Sequence, residues 1–175
     1  MQIAFTATAG RGTTDLLLSH LADRLAARGL RLAGTVQTNT ERKGGGPCDM
    51  DVKVLPAGPI IRISQDLGPS SRGCRLDPEA LETAVGLTET RLAEGVDVLI
   101  VNKFGKHEAE GRGFRHAIAK ALALGVPVLV GLNGLNAAAF EDFTAGWARQ
   151  LPPHIETIEA WLLTALAGAQ VLECP

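Results

Sequence analysis

Apolar residues return along the chain in two alternating rhythms. Short apolar runs of strand length are followed by stretches in which apolar side chains recur every three or four positions, the mark of a helix with one buried face. Gln2–Thr8 is such a run; it ends in Ala9-Gly10-Arg11-Gly12, and Leu17, Leu21 and Leu25 then share a helical face. The order is strand, glycine turn, helix. Gly29 stops that helix, and Leu30–Thr38, with Gly34 inside it, supplies a second strand. Glu41–Pro47 reads as a loop, and Met50–Leu55 with Pro59–Ser64 as a hairpin around Pro56-Ala57-Gly58. After a loop at Ser70–Gly73, Asp77-Pro78-Glu79 opens a helix carrying Leu81, Val85, Thr88 and Leu92 on one face. Val96–Val101 is a continuous apolar strand of the kind buried on both faces of a parallel sheet. Phe114, Ile118 and Ala121 mark a helix, Val126–Leu132 a strand, and Phe140, Phe143 and Trp147 another helix. Ile155, Ile158, Leu162 and Leu166 mark a last helix after Pro152-Pro153.

Strands alternating with helices predict an α/β fold with three layers, a mostly parallel sheet flanked by helices and interrupted by an inserted β-hairpin. The chain of 175 residues is read as a single domain over 1–166 with a C-terminal tail over 167–175. In such sheets ligands bind beyond the carboxyl ends of the strands. Four polar or glycine-rich clusters fall there: Ala7–Thr14, Thr38-Asn39, Asn102–Lys106 and Asn133–Asn136.

Hydrophobic content of 46% and charged content of 21% are ordinary for a globular protein. A net charge of −2 gives no global basic field, which argues against nucleic acid as a partner. Met1–Phe5 has no cationic lead, and no apolar run approaches the ~18 residues of a membrane span, so a cytoplasmic location without membrane insertion is expected. Folding alone or as a homo-oligomer fits this size. Cys48, Cys74 and Cys174 are an odd count without close CxxC spacing, which disfavours a disulfide framework.

The first strand-to-helix turn carries the clearest chemistry. A phosphate loop of the form GxxxxGK[ST] brings backbone N–H groups to an anion, adds a lysine for charge and a hydroxyl for magnesium. The corresponding octet is Ala7-Thr8-Ala9-Gly10-Arg11-Gly12-Thr13-Thr14. Gly12 and Thr14 match; Ala7 stands for the first glycine and Thr13 for the lysine, with Arg11 as a candidate substitute. The strand-end aspartate that would hold magnesium is Asn102, followed by Lys103. Lys103 and Lys106 favour an anion directly, and magnesium is disfavoured.

At these residues the chain resembles domain-of-unknown-function family 2478, over nearly its full length. The strings are Val36-Gln37-Thr38-Asn39-Thr40, Cys48-Asp49-Met50-Asp51, Ile61–Gln65, Gly73–Asp77, Val101–Gly105 and Glu108–Phe114. The resemblance implies a P-loop-like domain distantly similar to thermophile-type nucleoside triphosphatases. Their Asp-Glu-x-Gly-x-x-Glu pattern corresponds here to Asn102–Glu108. It also implies an association with molybdate-uptake genes; molybdate is a tetrahedral dianion close to phosphate in shape.

Three functional readings stay open. The leading one is binding of a phosphate-like oxyanion, molybdate, tungstate or a nucleotide phosphate, in an accessory or regulatory role. Its anion-binding residues are Gly10, Arg11, Gly12, Thr13, Thr14, Gln37, Asn39, Asn102, Lys103, Lys106 and Arg112. The second is a divergent nucleoside triphosphatase or kinase, in which Glu108 is the catalytic acid. The third is a thiol-based metal or redox site at Cys48 and Cys74. Arg62, Arg72 and Arg75 are read as partners of Asp49, Asp51 and Asp66 rather than an anion clamp, Asn133 and Asn136 as a turn and helix cap, and His20 as solvated.

Overall fold

The computed structural model describes residues 2–10, 12–42, 48–66 and 75–171. Its strands are β1 (Ile3–Thr6), β2 (Leu32–Thr40), β3 (Asp49–Val54), β4 (Ile60–Arg62), β5 (Val98–Phe104), β6 (Val128–Leu132) and β7 (Arg149–Leu151). The helices are α1 (Thr13–Ala27), α2 (Pro78–Ala93), the short α3 (Lys106–Ala109), α4 (Arg115–Ala123), α5 (Ala137–Thr144) and α6 (Ile155–Val171), with a 3-10 turn at Gly134–Asn136. One sheet runs in the order β4-β3-β2-β5-β6-β1-β7. β2, β5, β6, β1 and β7 are parallel, whereas β3 runs antiparallel to both of its neighbours. This is the expected α/β architecture with its inserted hairpin.

Strand periodicity sorts the core into two layers. In β5, Val98 and Ile100 turn toward Leu18, Leu21 and Leu25 of α1 and Ile158 and Leu162 of α6. Leu99 and Val101 turn the other way, toward Leu81 and Val85 of α2, Ile118 of α4 and Phe140 of α5. Both faces of the central strands are therefore dry, as their unbroken apolar spelling requires. A smaller cluster, Val52, Val54 and Ile63 with Ala84, seats the hairpin on α2.

Several element bounds differ from the sequence reading. β2 runs on to Thr40, because β3 pairs with it as far as Thr40↔Asp49. α5 stops at Thr144, where Ala145 and Gly146 both take positive φ, so Trp147 lies beyond the helix and is exposed. Arg149–Leu151 instead forms β7 beside β1, a strand too short for its periodicity to announce it. The last helix continues to Val171, so the segment read as a tail from 167 is helical at its start.

Gly34 shows why one strand position admits no side chain. Its φ is +110°, and a Cβ there would overlap the Ile100 carbonyl of β5. Gly34→Ala is expected to cost about 3 kcal/mol through strain and separation of β2 from β5. A denaturant melt of the variant measures it. Just before these two strands begin, Arg31 holds Asp97 through its backbone N–H at 2.7 Å and its guanidinium at 2.7 Å. The guanidinium keeps the Asp97 carboxyl below its ordinary value of 3.8. A depressed native pKa contributes stability above the unfolded value and loses it as pH falls through the native one. Below about pH 4, wild type should therefore lose more stability than Asp97→Asn, by no more than about 1 kcal/mol for so exposed a pair. Melts across that range test the difference.

Candidate functional site

β1 ends at Thr6, and the chain turns through Gly10 and Gly12 into α1. Gly12 caps the helix with φ 76° and ψ −8°, a left-handed conformation that favours glycine. The Thr14 hydroxyl reaches back across the turn: it accepts from the Thr8 amide at 3.2 Å and lies 2.8 Å from the Thr8 hydroxyl. The first amides of any helix lack intrahelical acceptors, and its dipole is positive at this end, so the turn has the groups an anion needs. Arg11 lies outside the described residues.

The third helical residue organises what surrounds the turn. Asp15 is 3% exposed. Its Oδ1 accepts from Asn102 Nδ2 at 2.8 Å and stands 3.8 Å from Lys103 Nζ, and its Oδ2 accepts from Asn39 Nδ2 at 2.5 Å. Asn102 Oδ1 takes the Gln37 amide at 2.9 Å, and Gln37 Nε2 donates to Asn39 Oδ1 at 2.7 Å. Five side chains from α1, β2 and β5 thus form one closed network at the carboxyl ends of the strands. With β6 between β1 and β5, those two strands are about 10 Å apart. α1 spans that gap. The Lys103 charge is directed at Asp15, and each oxygen of Asp15 has a donor.

Glu108 is equally committed. Its Oε2 accepts from the Gly105 amide at 2.8 Å and its Oε1 from the Phe114 amide at 3.2 Å, so the carboxylate closes the loop around α3. Gly113 leaves it room, since a Cβ there would overlap Oε1. Lys106 and Arg112 both pair with Glu110, at 3.6 and 2.6 Å, and the Arg112 guanidinium lowers the Glu110 pKa.

A family model described as "Protein of unknown function (DUF2478)" matches residues 3–161. The chain belongs to that family. The DUF2478 chain is also 37% identical over 147 residues to "Molybdenum import ATP-binding protein ModC 2" of Bradyrhizobium diazoefficiens. That match covers 84% of this chain and 16% of the relative, so the chain spans about a sixth of that protein's length. In solved structures it resembles "Solution Structure of a Human Cancer-Related Nucleoside Triphosphatase", with a TM-score of 0.60, 21% identity and 98% coverage of both chains. The fold is a P-loop-like α/β fold, similar to that of a nucleoside triphosphatase.

Of the residues singled out in the sequence, Gln37, Asn39, Asn102 and Lys103 meet in one network with α1, whereas Gly10, Gly12, Thr13 and Thr14 form the turn beside it. Lys106, Glu108 and Arg112 belong to the α3 loop. Cys48 is partly buried with its thiol free and its carbonyl bonded to Arg75, while Cys74, the other half of the thiol reading, lies outside the described residues. Among the described residues, no group of three or more His, Cys, Asp or Glu side chains is arranged to hold a metal. No helix there is long and apolar enough to cross a membrane. Arg62 pairs with Asp49 and Asp51 and Arg75 lies 3.7 Å from Asp49, with Arg42 as an unanticipated further partner of Asp49; Arg72 falls outside the described residues. The Arg42 guanidinium lowers the Asp49 pKa. Asn133 caps the 3-10 turn by accepting from the Asn136 amide.

Sequence reasoning missed Asp15. An acid in a helix's first turn is common as a dipole partner, and its real role appears only when β2 and β5 deliver three donors to it. Asp15→Ala should destabilise the fold by about 3 kcal/mol, because it strands the buried Asn102 amide and leaves Lys103 without its counter-charge. Asp15→Asn, which keeps the shape, should cost less; chemical denaturation of both variants tests this order.

Proposed function

We propose that this domain binds a phosphate-like tetrahedral oxyanion at the Thr8–Thr14 turn, without magnesium, in an accessory or regulatory role. The observation that carries this reading is the turn itself. A left-handed Gly12 opens α1 at the end of the turn that follows β1, offering helix amides and threonine hydroxyls rather than a lysine. Such donors suit a compact dianion whose four oxygens accept hydrogen bonds in several directions.

Molybdate is the favoured anion, since the relative over 84% of this chain is named for molybdenum import. The shared part is 16% of that relative, so its name points equally to the metal oxyanion and to ATP. The chemistry of the residues favours the oxyanion. Asn102 is a weak magnesium ligand beside Lys103, and Asp15, the nearest carboxylate, is already occupied by donors.

The second reading is a divergent nucleoside triphosphatase, supported by the structural likeness to a protein of that title. It would have to work without Glu108 as a free acid, because two backbone amides hold both carboxylate oxygens.

Calorimetric titration with molybdate, tungstate, phosphate and ATP, each with and without magnesium, distinguishes the two. The oxyanion reading expects magnesium-independent molybdate binding that weakens about tenfold in Gly12→Ala, where the left-handed cap is strained. Magnesium-dependent ATP turnover lost in Thr14→Ala would overturn it.

A further inference from the structure

Across the sheet from α1, a cavity of about 250 Å³ opens between the hairpin and the α2–α3 side, beside the same strand ends. Its walls are mostly apolar: Val52 and Ile63 from the hairpin segment, Leu81 from α2 and Phe114 before α4 all line it and are almost fully buried. Four basic side chains, Arg75, Lys103, Lys106 and His107, line it too. Polar groups set into an otherwise greasy concavity are the pattern of a small-molecule site, the apolar part giving affinity and the charges orientation.

Arg75 is the fixed charge of this set. Its Nε donates to the Gln65 carbonyl at 3.1 Å and its Nη1 to the Cys48 carbonyl at 3.0 Å, which pins the guanidinium between the two ends of the hairpin segment. The remaining Nη2 is buried, forms no hydrogen bond and has Asp49 at 3.7 Å. Its fork therefore keeps a donor for a carboxylate or sulfonate. Of the acids nearby, Glu108 has both oxygens bonded to amides and Glu82 accepts from His107 and the Gly113 amide. Asp49 is shared by Arg42, Arg62 and Arg75. Glu108 lines the cavity as well and keeps its charge, Lys103 stands 3.8 Å from Asp15 and Lys106 pairs with Glu110, so the hydrogen-bond donor left to an incoming acid is Arg75 Nη2.

We infer that this cavity is a second binding site, for a small planar organic anion: an aromatic body against Val52, Ile63, Leu81 and Phe114, with one acidic group directed to Arg75 and Lys103. It is separate from the oxyanion turn, and molybdate, having no apolar surface, is not its ligand. Gln37, Asn102 and Lys103 belong to both neighbourhoods, because they line the cavity while Asn102 donates to Asp15 and Lys103 Nζ stands 3.8 Å from it.

The probe is 2-naphthoate, with the uncharged 2-naphthalenemethanol as comparator, both titrated into the whole protein by calorimetry. The site predicts one saturable naphthoate equivalent, bound about tenfold more tightly than the alcohol. Val52→Phe should abolish it by filling the cavity, and Lys103→Met should weaken it several-fold, in proteins whose circular dichroism and melting remain cooperative. Should Val52→Phe fail to fold, the charged-to-neutral ratio on wild type and the Lys103→Met loss still decide. No saturable naphthoate binding, equal affinity for the alcohol, or unchanged binding in folded Val52→Phe would overturn the assignment, whatever molybdate does at the turn.

Discussion

The Asp15 carboxylate sits in the first turn of α1, where it can see the helix dipole, and it is buried, where water cannot solvate it. A buried carboxylate is tolerable only if donors replace its hydration. Asn39, Asn102 and Lys103 do so from two different strands. The carboxyl ends of β2 and β5 are thereby tied to the amino end of α1, and the position of the glycine turn relative to the sheet follows from that tie. Removing the carboxylate would leave the buried Asn102 amide and the Lys103 ammonium without that partner.

This network also fixes the electrostatics of the candidate site. Lys103 read in isolation is a free positive charge at a strand end; opposite Asp15 it is half of a neutral pair. On the proposed reading the turn offers an anion hydrogen-bond donors and helix dipole, while both oxygens of Asp15 already have donors. The same accounting applies to Glu108, whose oxygens serve the backbone of the α3 loop.

The two faces of the sheet diverge above the same strand tips. On the α1 side lies the polar network, sealed by short hydrogen bonds. On the α2 side lies an apolar cavity edged with basic groups. Gln37, Asn102 and Lys103 belong to the network and also line the cavity, so the two share residues at the ends of β2 and β5.

The alternation of apolar runs and helical faces determined the α/β class, the inserted hairpin, the dry central strands and the turn before α1, because burial on a fixed period leaves its trace in local spelling. The polar strings at Gln37–Asn39 and Asn102-Lys103 were visible in the same way, as polar residues where strands should end. The edge strand β7 was not, for three residues with one buried side chain carry no period. Nor was Asp15, which is an ordinary helix-opening acid until a sheet order with β6 between β1 and β5 sets α1 across the strand ends. Only the tertiary structure decided which charges are paired and which remain available, because a hydrogen-bond partner 24 or 87 residues away in sequence is chosen by topology and not by neighbours along the chain.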